Sequence, residues 1–202
     1  MKEGTIVRAD AVENREAILN AAWRLFSTHG IDVSRRAIAK EAGVGVATLQ
    51  RHFPTQQDLA MGVIEHGKTL VADLYTAHPD AWDARDTATQ AWEDIITRII
   101  DLGIGAFATQ LIPTLLVDGK RTHEADQLLA ELLGAATTFM DRGRRWGLIR
   151  DDLTPLDFHL ILAATSRPLP QPINAEAPQF MSQMTRIVID GLKAPDAGAR
   201  TR

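Results

Sequence analysis

The side chains that could support hydrolysis, group transfer or metal binding are few and scattered. His123-Glu124 begins like the helical zinc-hydrolase motif, but the second histidine of His-Glu-x-x-His is missing. Asp151-Asp152 stands at a predicted helix junction, where solvated acids are common. Gly43-Val-Gly45 is a lone glycine pair with no strand before it, so it does not make a nucleotide loop. The chain has no cysteine, which removes disulfides, thiolate zinc sites and cysteine nucleophiles. The expectation is a protein with no catalytic site, no metal and no cofactor.

A second set of residues points to binding rather than catalysis. Ser34 is placed to cap a short helix bearing Ile38, Ala39 and Ala42; Gly43 supplies a tight turn; and a further short helix runs from about Val46 to His52 before Pro54. With Ile38, Ala42, Val44, Leu49 and Phe53 inward, the pair has the spacing of a helix-turn-helix. Periodicity alone serves a DNA-binding motif and an ordinary helical hairpin equally well.

The elements around this pair are also helical. Asp10-Ala-Val-Glu13 has capping-box spacing, and Ile18, Ala21, Ala22, Leu25 and Phe26 share one face of a helix that ends at His29-Gly30. Lys2 and Arg8 ahead of it form either an arm for the DNA minor groove or a loose terminus. Thr55-Gln-Gln-Asp58 caps a long fourth helix with Leu59, Val63, Gly67, Leu70 and Leu74 inward. Beyond the break at His78-Pro79, helices are predicted over 87–105, over 107–118 with a kink at Pro113, and over 122–146. Thr154-Pro155-Leu156-Asp157 starts another, Pro168-Leu-Pro-Gln-Pro172 interrupts it, and a last helix spans about Ala177 to Lys193.

Composition fits this picture. At 202 residues and 45% apolar content the chain suits one medium domain or a small module joined to a larger one. No signal peptide and no membrane-spanning run is evident, so a cytoplasmic protein with no membrane partner is expected. The net charge of −4 is uneven: residues 1–53 carry eight Lys/Arg against six Asp/Glu, and the rest is acidic. A DNA-facing N-terminal end is permitted on an otherwise acidic body.

Arg15-Glu-Ala-Ile-Leu-Asn-Ala-Ala22, Leu25-Phe26, Gly30, Ile38-Ala-Lys-Glu-Ala-Gly-Val44, Ala47-Thr-Leu49 and Arg51-His-Phe-Pro54 together resemble the N-terminal signature of the TetR family of bacterial transcriptional repressors. The likeness covers about residues 11–64; beyond it, only the helix pattern, the Gly147–Pro155 junction and the Asp190-Gly-Leu192 ending are similar.

The resemblance implies an all-α fold of about nine helices. Residues 1–54 would form a three-helix DNA-binding domain, helix 55–78 would connect, and residues 79–202 would bind ligand and dimerise. Gly45, Val46 and Ala47 would lie near base edges, with Thr48 and His52 on phosphates. Arg35 and Arg36 would reach a phosphate or a guanine, and Gln50, Arg51 and Gln56 complete the DNA-binding set.

Two positions depart from the family. Gln50 replaces a usual tyrosine and can bond phosphate or adenine, and Gln56 replaces a common lysine and gives up a charge. Because Gly45, Val46 and Ala47 carry no polar head, thymine methyls and DNA shape would supply much of the specificity.

For the C-terminal part, Phe158, Ile161, Leu162, Phe180, Met184, Ile187 and Val188 are expected at a four-helix dimer interface. Trp92, Ile96, Phe107, Leu111, Phe139, Met140 and Trp146 are expected around a pocket for a hydrophobic or aromatic effector, although each also reads as plain core. The expected partners are operator double-stranded DNA, a small-molecule effector and a second copy of the chain. The rival reading is an all-α small-molecule-binding protein or enzyme that does not act through DNA.

Overall fold

The computed structural model describes residues 3–106, 111, 113, 116–167, 169 and 171–194. The chain runs through α1 (Glu3–His29), α2 (Arg35–Glu41), α3 (Val46–His52), α4 (Gln56–Thr76), a 3-10 turn (Pro79–Asp83), α5 (Arg85–Asp101) and a second 3-10 turn (Ile104–Ala106). There follow β1 (Leu116–Val117), β2 (Lys120–Arg121), α6 (His123–Arg145), α7 (Pro155–Thr165), α8 (Gln171–Glu176) and α9 (Phe180–Leu192). The all-α class holds, with one minimal hairpin added. Among the described residues no helix is long and apolar enough to cross a membrane.

Short side chains start several of these helices. Ser34 Oγ accepts from Ala37 N at 3.1 Å ahead of α2. At α4 the exchange is reciprocal: Asp58 N donates to Thr55 Oγ1 at 3.0 Å while Thr55 N donates to Asp58 Oδ2 at 2.8 Å. Thr154 and Asp157 repeat the arrangement at α7, with distances of 3.1 and 3.0 Å. Each box satisfies amides that a helix N-terminus otherwise leaves open.

Some boundaries differ from expectation. α1 begins well upstream of Asp10, so the Asp10–Glu13 spacing falls inside the helix: a four-residue capping pattern is local and recurs by chance where no proline interrupts. That helix includes Arg8, and Lys2 lies outside the described residues. α5 stops at Asp101 rather than 105. The helix expected over 107–118 does not reach its end, because Leu116–Val117 pairs antiparallel with Lys120–Arg121 across Asp118-Gly119. Both turn residues have positive φ, 52° and 72°, the backbone of a two-residue hairpin turn for which Asp-Gly is a strong signal. The helical reading overrode that dipeptide. Phe107, Pro168 and Pro170 lie outside the described residues.

The chain folds as two compact units. The first comprises Met1–Lys68 and Ala106–Ala125, the second Thr69–Gly105 and Asp126–Arg202, so the division falls within α4. In the first unit α1, α2 and α3 touch one another and bury Ile18, Ala21, Ala22, Phe26, Ile38 and Leu49.

The second unit is organised by aromatic rings. Phe139 of α6 stacks on Trp92 of α5 at 4.6 Å and 7°, and on Tyr75 at 4.9 Å and 26°; Trp82 meets it edge-on at 5.7 Å. Trp92, Phe139 and Phe158 are almost wholly buried, with Ile95, Ile96, Ile99 and Met140 around them. Pairs of this geometry contribute about 0.5–1.5 kcal/mol each beyond area burial.

One imidazole sits against this cluster. His159 Nδ1 is 3.0 Å from the Pro155 carbonyl oxygen, so Nδ1–H donates there and leaves Nε2 to accept from the Tyr75 hydroxyl at 3.1 Å. Burial holds the His159 pKa below the usual histidine value, against the opposing pull of the Pro155 carbonyl. Burial also raises the Tyr75 phenol. In the first unit, His66 is lowered too, mainly by burial and further by Arg15, with Glu16 opposing.

Packing and charge in these units have measurable consequences. A Cβ at Gly143 would lie 2.6 Å from Trp92 Cζ3, whereas one at Gly134, in the same helix, meets nothing within 4 Å. Gly134→Ala should stabilise by about 0.5–1 kcal/mol through helix propensity. Gly143→Ala should destabilise, because overpacking of about 1–3 kcal/mol exceeds that gain; urea denaturation of both variants measures the difference. Separately, as pH falls below about 6.5 the unfolded chain takes up protons that folded His159 and His66 refuse, so stability drops with falling pH until the folded imidazoles also protonate. In His159→Gln the same titration should give a shallower loss.

Candidate functional site

The turn between α2 and α3 needs a residue that tolerates left-handed backbone. Gly43 provides it with φ of 69°, and Val44 N closes back on Ala39 O at 3.0 Å. Gly45 is extended and caps α3, its carbonyl accepting from Thr48 N and Leu49 N at 2.9 and 3.1 Å.

α3 is held from behind. Leu49 is fully buried and Phe53 is 2% exposed. The Arg15 guanidinium lies 5.3 Å from the Phe53 ring centroid, and Arg15 also pairs with Glu65 at 3.7 Å. Gly62 presents its bare Cα to Phe53: a Cβ there would fall 2.7 Å from Phe53 Cε1. Arg35 completes the anchorage, its Nη1 donating to Thr55 O at 3.1 Å and its Nη2 to Phe53 O. The structure therefore commits this guanidinium to the chain's own carbonyls, not to an outward position.

The opposite face of α3 is open. Gly45, Val46, Ala47, Gln50 and Arg51 are exposed, and Thr48 and His52 flank them half-buried. Arg51 folds along the helix, donating from Nη2 to Thr48 Oγ1 at 3.1 Å. Gln56 is exposed at the start of α4. On α2, Arg36 and Lys40 stand one helical turn apart, and neither side chain has an ion-pair or hydrogen-bond partner among the described residues. By contrast Arg24 pairs with Glu41 at 3.2 Å. Sequence reasoning passes over Lys40, although its i, i+4 spacing from Arg36 is visible there. An apolar centre with polar edges and long cations beside it suits the major groove, where cations neutralise phosphates and short side chains approach base edges.

The second unit brings together most of the expected pocket residues, and does so as packed core: Trp92, Ile96, Phe139 and Met140 have essentially no exposure, and Trp146 packs against them half-buried. Leu111 is buried and belongs to the first unit. The indole nitrogens of Trp82 and Trp92 are buried with no hydrogen-bond acceptor among the described residues. Trp146 Nε1, in contrast, donates to the Trp82 carbonyl at 3.2 Å. Trp82, under the Arg142 guanidinium at 5.7 Å, escapes sequence reasoning because it sits in a short 3-10 turn with no periodicity.

The expected interface set needs a correction on α7. Phe158 and Leu162 turn inward and are 0% and 2% exposed, and Ile161 packs on the same core; the outward residues are Leu156 and Leu160, at 43% and 55%. α7 is apolar on all sides, so its period could not say which stripe faces in. On α9, Phe180, Met184 and Ile187 form an outward stripe, Ile187 being 62% exposed, while Val188 packs inward.

Comparison with known proteins bears on both parts of the chain. The family model "Bacterial regulatory proteins, tetR family" matches residues 18–61, and "Transcriptional regulator SbtR-like, C-terminal domain" matches residues 87–194, over half of the chain. The chain belongs to the TetR family. The two matched models describe bacterial regulatory proteins over the N-terminal part and a transcriptional regulator over the C-terminal part.

Among curated relatives, the HTH-type transcriptional regulator SAB2452 of Staphylococcus aureus (strain bovine RF122 / ET3-1) is 45% identical over 60 residues, 29% of this chain and 32% of that one. The regulator SAUSA300_2515 of S. aureus (strain USA300) is 40% identical over 73 residues, 36% and 37% of the two chains. The chain thus spans about a third of the length of these relatives. Among solved structures, the TetR regulator SCO0520 of Streptomyces coelicolor matches with TM-score 0.63 and 28% identity, over 91% of this chain and 99% of that one. LfrR of Mycobacterium smegmatis, solved with proflavine, matches with TM-score 0.65 and 20% identity over 94% and 98%, a likeness of fold.

The Arg35 clamp separates structural from surface arginines. Arg35→Met should cost about 1–3 kcal/mol by leaving the Phe53 and Thr55 carbonyls without their donor. Arg36→Ala should stay within about 0.5 kcal/mol of the parent. Thermal and urea unfolding of the two variants measures this contrast.

Proposed function

We propose that this TetR-family regulator is a repressor: a homodimer that binds a palindromic operator through α3 and is released by a small effector held in the C-terminal part. The observation that carries the DNA half is the open face of α3, rigidly backed by Leu49, Phe53 and Arg35, with Arg36 and Lys40 beside it. Gly45, Val46 and Ala47 approach the base edges, and Thr48, Gln50, Arg51, His52 and Gln56 frame them. Residues 1–54 act as the DNA-binding domain, 55–78 as its connection, and 79–202 as the sensing and pairing domain. Its partner, operator DNA, places the protein in the cytoplasm.

Support for the dimer comes from the outward apolar residues Leu156 and Leu160 on α7 and Phe180, Met184 and Ile187 on α9, which pairing about a two-fold axis would cover. Support for an effector comes from the two buried indole N–H groups of Trp82 and Trp92, since a donor buried without an acceptor costs about 1–3 kcal/mol. An aromatic or hydrophobic molecule carrying a hydrogen-bond acceptor would satisfy them. Linkage then requires operator DNA to weaken that molecule's binding by the same factor by which the molecule weakens the operator's.

The test is binding of the purified protein to DNA from upstream of its own gene, followed by fluorescence anisotropy across a salt series, with sedimentation run in parallel. The expected outcome is a two-chain mass and a steep fall of affinity with salt, each neutralised phosphate adding about 0.9 to the log–log slope. Ile187→Asp should give folded monomers with greatly reduced operator affinity. A parent protein that sediments as a monomer, or has no preference for this DNA over unrelated duplex, would overturn the proposal.

A further inference from the structure

The outward face of α3 is chemically uneven. Val46 and Gln50 lie one turn apart, and Ala47 and Gln50 three residues apart, so these three exposed side chains are neighbours on the helix surface. Of the long polar groups near it, Arg35 is bonded to the Phe53 and Thr55 carbonyls and Arg51 is folded onto Thr48 and the Ala47 carbonyl. Among the described residues, the Gln50 carboxamide has no hydrogen-bond partner and is exposed. Beside Val46 and Ala47 it presents a donor and an acceptor side by side.

We infer that Gln50 reads an adenine in the major groove of each half-site, and that Val46 and Ala47 contact thymine methyl groups on adjacent pairs. The inference rests on the proposal that α3 docks on DNA. Adenine shows an acceptor at N7 next to a donor at N6, the complement of a carboxamide. Guanine shows two acceptors, so the amide oxygen would face a lone pair, and cytosine offers only a donor. Val46 is 45% exposed and, like Ala47, carries only methyl carbon at its tip. The one apolar feature of the major groove is the C5-methyl of thymine. Phosphate contacts do not require Gln50, because Arg36 and Lys40 supply cations on the neighbouring helix. The bases under α3 should therefore be an A·T run, with guanine excluded at the Gln50 position.

The experiment uses the full-length protein and a duplex library with a randomised core of about 24 base pairs, room for two half-sites one helical turn apart. Selection should enrich an inverted repeat with A·T pairs at the centre of each half. On the selected duplex, changing the Gln50 adenine of one half-site to guanine should weaken the parent about 5- to 150-fold, and Gln50→Ala by less than about twofold. Replacing the flanking thymines with uracil, which deletes only the methyl groups, should weaken the parent more than Val46→Ser, which retains only the Ala47 contact. Gln50→Arg, a second variant with a planar two-donor head, should shift the preference at that position to guanine.

Enrichment of a motif with G·C under α3 would overturn the inference while leaving DNA binding intact. So would a Gln50→Ala variant weakened equally on every sequence, since that marks a phosphate contact. Failure to enrich any sequence, even at low salt, would overturn the DNA-binding proposal itself.

Discussion

A seven-residue helix cannot hold itself together in water, since nucleation costs more than so few hydrogen bonds return. α3 exists because other residues fix it: Leu49 and Phe53 bury its inner side, Arg35 ties down the carbonyls after its last turn, and the Thr55–Asp58 exchange starts the next helix immediately. Everything that faces outward from α3 is then positioned by groups that face inward. The side chains that would meet DNA need contribute nothing to stability, which frees Val46, Ala47 and Gln50 to vary with the DNA sequence. The same division of labour explains the committed arginine: its long fork spans two carbonyls that a lysine would reach singly.

The second unit follows a different constraint. Its core is built from stacked and edge-on rings centred on Phe139, and rings pack in few orientations. Gly143 is required beside Trp92 because a side chain there would collide with the indole. Rigid packing around two N–H groups that have no acceptor among the described residues places an electrostatic cost inside an otherwise apolar cluster. An acceptor that reached them would remove that cost, which an all-aliphatic core would not carry.

The helix-turn-helix was legible in the sequence because its punctuation is local. Ser34, Gly43, Pro54 and the Thr55–Asp58 spacing each act within four residues, and the TetR resemblance lay in that same stretch. Side-chain direction was less legible. Nothing about Arg35 distinguishes it from Arg36 except which way a short helix is rotated, and that is decided by packing. On α7, apolar residues on every side hid the inward turn of Phe158 and Leu162. The hairpin at Asp118-Gly119 was written in the sequence and was outweighed by a longer helical pattern around Pro113. That the Trp82 and Trp92 indoles meet no acceptor among the described residues could not be foreseen, because it is a property of the assembled core.

The first unit is discontinuous in sequence: it takes Met1–Lys68 and Ala106–Ala125, with Thr69–Gly105 belonging to the other unit. During synthesis, the N-terminal stretch therefore leaves the ribosome before its own completing segment, and a piece of the neighbouring unit emerges in between. The first unit is not a cassette that can be lifted out at a single cut. A chimaera joined after Lys68 would leave behind the 106–125 stretch, so recombination that preserves this unit must exchange two segments together.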